Sequence, residues 1–153
     1  MNHYCYFESP IGLIELGGTA EALASIIFVK ERRDDTVSNA ILDEALGQLI
    51  EYFAGERHDF DVPLALAGSE FQQAVWTQLL TIPYGQMVSY QDIANALGNP
   101  QAVRAVGAAN GQNPIAIIVP CHRVVGSNGK LVGYGGGLWR KEWLLQHEGA
   151  LLL

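Results

Sequence analysis

Cys121 and His122 adjoin in the stretch Pro120-Cys121-His122-Arg123-Val124, and a thiol beside an imidazole is the pair in this chain best suited to nucleophilic chemistry near neutral pH. The five residues before it, Ile115, Ala116, Ile117, Ile118 and Val119, form an apolar run rich in β-branched side chains. Such a run predicts a strand buried on both faces, ending at Pro120, which has no N–H for a ladder. In an extended strand, neighbouring side chains point to opposite faces, so coupling Cys121 to His122 needs a turn after Pro120 or a bridging water. The competing reading of Cys121 is a small buried hydrophobe. Glu148, followed by Gly149, reads either as the C-terminal cap of the last helix or as a carboxylate that orients His122.

Other chemistries lack their residues. Gly126-Ser127-Asn128-Gly129-Lys130 is too short for a P-loop, and Gly133-Tyr134-Gly135-Gly136-Gly137 has Leu138 where a dinucleotide fingerprint needs its third glycine. No cofactor is expected. His3 and Cys5 lie close together but have no CxxC or His-x-x-x-His companion, so no metal is expected either.

The elements that must hold Cys121 are legible on both sides of it. Ser69 with Gln72 three residues on is a capping box opening a helix through Leu80, with Phe71, Val75 and Leu79 inward, and Pro83-Tyr84-Gly85 stops it. Ser89 with Asp92 caps a second helix, Tyr90 to Leu97; Gly98-Asn99-Pro100 then turns into a third, roughly Gln101 to Ala109. Two short helices joined by a glycine-containing turn form a helix-turn-helix, a pattern shared by merely packed helices. Ala102, Ala105, Gly107, Ala108 and Ala109 leave room for a backbone to come close, and Arg104 is the one long cation among them. Asn113-Pro114 leads into the Cys121 segment, and a last helix runs from Leu138 to His147.

Upstream, Tyr4 to Phe7 and Leu13 to Leu16 flank the turn Ser9-Pro10-Ile11-Gly12, and Ala24 to Val29 makes a third strand. Ile41, Leu42, Ala45, Leu46, Leu49, Ile50 and Phe53 recur at helical spacing, predicting a helix that covers this antiparallel sheet and ends near Gly55. His58 to Leu66 alternates polar and apolar residues around Pro63, as an edge strand or linker does. The fold class is therefore α+β. The expected domains are 1–68, a sheet with a covering helix, and 69–153, mostly helical with the helix-turn-helix.

A chain of 153 residues that is 49% hydrophobic can bury a core. No signal peptide or eighteen-residue apolar run is present, so a cytoplasmic protein without membrane association is expected, with its two cysteines kept as thiols. The net charge of −7 is unevenly divided: residues 1–70 hold four basic and thirteen acidic side chains, a balance of −9, while 71–153 hold five basic and three acidic, a balance of +2. Only the second region is suited to a phosphate backbone.

Pro120-Cys121-His122-Arg123-Val124 resembles the signature of the methylated-DNA–protein-cysteine methyltransferases, the O6-alkylguanine-DNA alkyltransferases. Ile82-Pro83-Tyr84-Gly85, Val88-Ser89-Tyr90, Ala102-Val103-Arg104-Ala105-Val106-Gly107, Asn113-Pro114, Gly136-Gly137-Leu138, Lys141-Glu142-Trp143-Leu144-Leu145 and Glu148-Gly149 resemble the same family in the same order. The likeness is strong over about residues 70 to 149 and loose before that.

It implies an RNase H-like N-terminal domain and direct-reversal repair of DNA. Cys121 would accept the alkyl group of O6-alkylguanine, and also of O4-alkylthymine, irreversibly and once. His122, acting through a water and oriented by Glu148, would take the thiol proton. Tyr90 would donate a hydrogen bond to the leaving guanine and help rotate the nucleotide outward; Arg104 would fill the gap left in the duplex. The helix bearing Ala105 and Gly107 would enter the minor groove of double-stranded DNA. Asn113 would brace the turn into the Cys121 segment, while Val124, Tyr134, Gly135, Gly136 and Lys141 would line the pocket of a monomer. Many relatives carry Ser where this chain has Gly135. A Cys-His-Glu hydrolase and a non-catalytic reader of alkylated DNA are the rival readings; the first gives no reason for the helix-turn-helix, and the second class replaces the cysteine that is present here.

Overall fold

The structure, a computed structural model, describes residues 2–152. The chain divides into two compact units, 1–67 and 68–153. In the first, β1 (His3–Ser9), β2 (Gly12–Gly18) and β3 (Leu23–Phe28) form an antiparallel meander in the order β1-β2-β3, with His3 opposite Gly18 and Ser9 opposite Gly12. The hairpin closes because Gly12 accepts a φ of 112° and the Ser9 hydroxyl bonds the Ile11 N–H and the Gly12 carbonyl. Helix α1 (Ala40–Phe53) packs on this sheet, burying Leu42, Ala45, Leu49 and Tyr52; Asn39 caps its first turn by accepting from the Leu42 N–H at 2.9 Å. The alternating segment after α1 contributes only a single parallel bridge, Leu64 to Leu23, since Pro63 has no N–H with which to extend a ladder.

The second unit is mostly helical. Helix α2 (Glu70–Leu79) starts from a complete Ser69–Gln72 capping box and buries Val75, Trp76 and Leu79, with Phe71 only half-buried. Its Trp76 indole N–H donates to the Ala109 carbonyl at 2.8 Å, fixing α2 against α4 (Val103–Gly111). Strand β4 (Val88–Ser89) runs into α3 (Tyr90–Ala96), which carries a second complete capping box, Ser89 with Asp92. Helix α3 packs on α4, two residues later along the chain than the sequence places it, and the turn between them uses Gly98 at φ 74°. Helix α5 (Leu138–His147) has its expected bounds.

The strand expected at Ile115–Val119 does not form. The segment is buried, but its backbone folds through tight turns, and the extended pairing moves to β5 (Val124–Val125), parallel to β4. Ile117 has φ 72° and is spanned by an Ile118 N–H bond to the Ala116 carbonyl at 2.8 Å, which makes the uncommon positive-φ γ-turn. Side chains replace the missing ladder: Asn113 Oδ1 accepts from the Ile115 N–H at 3.0 Å, and its Nδ2 donates to the Val119 carbonyl at 2.8 Å. Apolar content correctly signalled burial here but carried no information about these local bonds.

Candidate active site

Pro120, at φ −82° and ψ 63°, makes a second γ-turn, closed by the Cys121 N–H bond to the Val119 carbonyl at 2.8 Å. Cys121–Arg123 then forms a single 3-10 turn. A turn is thus present at the place where coupling between Cys121 and His122 requires one. The Cys121 carbonyl is held by the Val124 N–H and by Asn110 Nδ2 at 3.3 Å, so the backbone carrying the thiol is fixed from both sides.

His122 is fully buried, and its Nε2 lies 2.8 Å from Glu148 Oε2. Arg123 binds the same carboxylate twice, Nε to Oε1 at 2.8 Å and Nη2 to Oε2 at 3.1 Å, and its Nη1 donates to the Ile82 carbonyl at 2.7 Å. Burial pushes the Glu148 carboxyl up, but the hydrogen bonds from His122 and Arg123 and the Arg123 charge outweigh it and hold the group well below the usual carboxylate range. Glu148 is therefore an anion, and His122 must donate to it from Nε2. That fixes the tautomer: Nδ1 is the basic nitrogen, and it is buried without a hydrogen-bond partner among the described residues. Burial, with Arg123 and Lys141 nearby, lowers the His122 pKa against the opposing pull of Glu148, so the ring rests neutral. Burial also raises the Cys121 thiol pKa, while the Asn113 side chain, the Lys141 charge and the N–H groups of Cys121 and His122 favour the thiolate. The resting pair is a protonated thiol beside a neutral base, with groups in place to stabilise the anion once it forms.

A second cluster faces Cys121 from α3 and α5. The Tyr90 hydroxyl donates to the Val132 carbonyl at 3.0 Å, and Lys141 Nζ donates to Val132 O at 2.9 Å, Gly133 O at 3.3 Å and Tyr90 Oη at 3.5 Å. Lys141 is completely buried, and that burial lowers its pKa to about 8 despite the opposing influence of Cys121. Burial and the Cys121 charge both raise the Tyr90 pKa, keeping the phenol a donor. The loop between them, residues 132–137, carries Tyr134, whose buried hydroxyl has no hydrogen-bond partner among the described residues, and is tied at its other end by Arg140 Nη1 to the Gly136 carbonyl at 2.7 Å.

Two family models cover nearly the whole chain: the 6-O-methylguanine DNA methyltransferase ribonuclease-like domain matches residues 2–66, and its DNA binding domain matches residues 70–150. A methylated-DNA–protein-cysteine methyltransferase of Methanosarcina acetivorans is 52% identical over 97% of this chain and 99% of its own length. The crystal structure of the Mycobacterium tuberculosis O6-methylguanine methyltransferase superposes with a TM-score of 0.89 at 50% identity, covering 98% of this chain and 94% of that one. A structure of the Mycobacterium tuberculosis protein in complex with DNA gives 0.88 at 50% identity, covering 97% and 93%. The chain belongs to the methylated-DNA–protein-cysteine methyltransferase family.

Within this methyltransferase, the residues singled out in the sequence fall into two groups. Cys121, His122, Glu148, Asn113, Tyr90, Tyr134 and Lys141 are brought together by the contacts and charges above, with Val124 buried in β5 and Gly135 and Gly136 in the loop. Arg104 and Ala105 instead lie on the exposed face of α4 with Ala108 and Gly111, and a Cβ on Gly107 would meet nothing within 4 Å. Arg104 is six residues from Asn110, about 9 Å along the helix. Three residues here had no role in the sequence reading: Arg123, Asn110 and Arg140. Arg123 stood inside the recognised motif, but its pairing with Glu148 spans 25 residues and leaves no local signal.

Proposed function

We propose that this protein repairs DNA by direct reversal, moving the alkyl group of O6-alkylguanine onto Cys121. The observation that carries this reading is the His122 tautomer, in which Glu148 occupies Nε2 and the basic Nδ1 is left to take the thiol proton, directly or through a water. The thiolate attacks the alkyl carbon, a sulfur–carbon bond forms, the carbon–oxygen bond breaks, and the electron pair passes into the purine. Tyr90 donates its proton toward a ring nitrogen as that charge develops. Lys141 can only donate, so the Tyr90 oxygen accepts from it and the phenol proton points away, toward the Val132 carbonyl in the free protein and the base in the complex.

A guanine O6 inside the stack is out of reach of a buried thiol, so the nucleotide must rotate out. The exposed small-residue face of α4 supports docking in the minor groove, with Arg104 entering the duplex. Every group named in the transfer lies between Tyr90 and Glu148 of one chain, which supports action as a monomer. Mixing the protein with a duplex containing O6-methylguanine and weighing the intact chain tests the reading. One added methyl on the peptide containing Cys121 is expected; an unchanged mass with the lesion intact overturns it.

A further inference from the structure

Residues 133–137 hold four glycines around Tyr134, so this backbone has little of its own to keep it in one shape. Lys141 nevertheless depends on it: Nζ donates to the Gly133 carbonyl at 3.3 Å and to the Val132 carbonyl just before it at 2.9 Å, and the Tyr90 hydroxyl donates to the same Val132 carbonyl. The hold comes from the other end of the loop. Arg140 Nη1 donates to the Gly136 carbonyl at 2.7 Å, and the Arg140 guanidinium carbon lies 4.7 Å from the centroid of the Trp139 ring. A Cβ on Gly137 would stand 3.4 Å from Trp139 Cδ1 and 3.5 Å from its Nε1, so the edge of the indole rests against bare Gly137 backbone. Trp139 is 55% exposed. An indole with half its surface in water contributes little to a core, yet this one is fixed between a loop glycine and a cation.

We propose that Trp139 and Arg140 are positioning residues, an external clasp that closes the glycine loop over Lys141 and thereby keeps its ammonium, with Tyr90 beside it, facing Cys121. The inference rests on the alkyl-transfer reading, in which that ammonium supports the thiolate, and names what holds it there. The guanidinium grips the Gly136 carbonyl with a charge-assisted bond, and the indole covers one of its faces and keeps the fork directed at the loop. A released loop takes the Val132 and Gly133 carbonyls away from Nζ and admits water. Burial is what holds the Lys141 pKa down at about 8, against the opposing influence of Cys121, so a rehydrated ammonium keeps its charge to higher pH. The titratable groups facing Lys141 are Tyr90 from α3 and Cys121 and His122 from the 3-10 turn, and all three are unchanged when the clasp is cut.

Two measurements on Trp139→Ala, Arg140→Met and Arg140→Lys test this: single-turnover methyl transfer from an O6-methylguanine duplex across pH, and amide hydrogen exchange of residues 133–137. Trp139→Ala leaves every charge in place, yet the alkaline limb of transfer, near pH 8 in the wild type, should move up by about one pH unit, and the loop amides should exchange at least about tenfold faster. Arg140→Met should do the same, and Arg140→Lys, which keeps a charged donor for Gly136, should fall between it and the wild type. A limb and an exchange rate unmoved in both Trp139→Ala and Arg140→Met overturn the clasp. A change confined to one of the two overturns it as well, because a clasp needs both halves. Failure of the wild-type protein to methylate Cys121 overturns the alkyl-transfer reading instead, and the clasp then stands or falls on the loop exchange alone.

Discussion

Glu148 Oε2 lies 2.8 Å from His122 Nε2 across 26 residues of chain, and this contact decides which imidazole nitrogen is available as a base. Replacing the carboxylate leaves His122 less basic, because the hydrogen bond and charge of Glu148 are what raise its pKa against burial. Glu148→Gln should move the pH dependence of Cys121 reactivity upward and slow transfer by about tenfold or more, read by thiol alkylation and single-turnover rates across pH. An unshifted profile would leave Glu148 as a helix cap. The same substitution strands Arg123 without its anion and should cost about 3–5 kcal/mol of stability. Since the folded-state pKa of Glu148 is depressed, its contribution is present above the unfolded carboxyl value of about 4.3 and is lost as pH falls through the lower folded value. The acid limb of wild-type stability should therefore be steeper than that of Glu148→Gln below about pH 4.3.

Lys141 titrates near pH 8 in the folded protein, so its charge is present at neutrality and leaves just above it. The ammonium supports the Cys121 thiolate and holds Tyr90 and the Val132 and Gly133 carbonyls. Transfer by the wild type should decline above about pH 8, and Lys141→Met should lose that alkaline limb along with most of its rate. A limb that persists in Lys141→Met belongs to another group.

Tyr90→Phe removes the donor to the base but leaves Lys141 bonded to Val132, so stability should change by less than about 1 kcal/mol while transfer slows markedly. Tyr90→Ala should additionally impair extrusion of the nucleotide, seen as a larger loss on duplex than on free O6-alkylguanine base. Wild-type rates in Tyr90→Ala would make the ring a packing residue.

Arg104 stands on the open face of α4, six residues before Asn110, which bonds the Cys121 carbonyl. Arg104→Ala should slow repair of duplex far more than reaction with the free modified base, with duplex affinity only mildly reduced. Equal losses on both substrates would remove Arg104 from the extrusion step.

What the sequence made legible was largely local. The Ser69–Gln72 and Ser89–Asp92 boxes are complete within four residues, and the last helix is punctuated by Gly137 before it and Gly149 after it, so these helix starts and stops could be read directly. The Ile115–Val119 run misled because period and β-branching report burial, whereas the backbone path there is set by bonds from Asn113 and Asn110 that no periodicity encodes. The buried charges were equally hidden: Lys141 lies on an amphipathic helix in sequence, and only the fold brings Val132 and Gly133 to it. Cys121 and His122 stood out as a thiol beside an imidazole, but residue types left Cys121 open between nucleophile and core residue and Glu148 open between cap and orienting carboxylate; only the family resemblance chose between them.

Transfer to Cys121 should happen once per molecule. A sulfur–carbon thioether is neither basic nor a good leaving group, unlike the thioester that a Cys-His-Glu hydrolase would form and then lose to water. His122 can withdraw a proton from a thiol but has no proton to take from a thioether, and Lys141 and Tyr90 are placed to support the departing base. With excess O6-methylguanine duplex, repair should plateau at one lesion per protein, with one methyl mass on the peptide containing Cys121. Cys121→Ala should bind the same duplex without repairing it. Lesion removal that continues well past one equivalent, with unmodified Cys121 recovered afterwards, would mean that the thiol is regenerated and that the same triad runs a hydrolytic cycle instead.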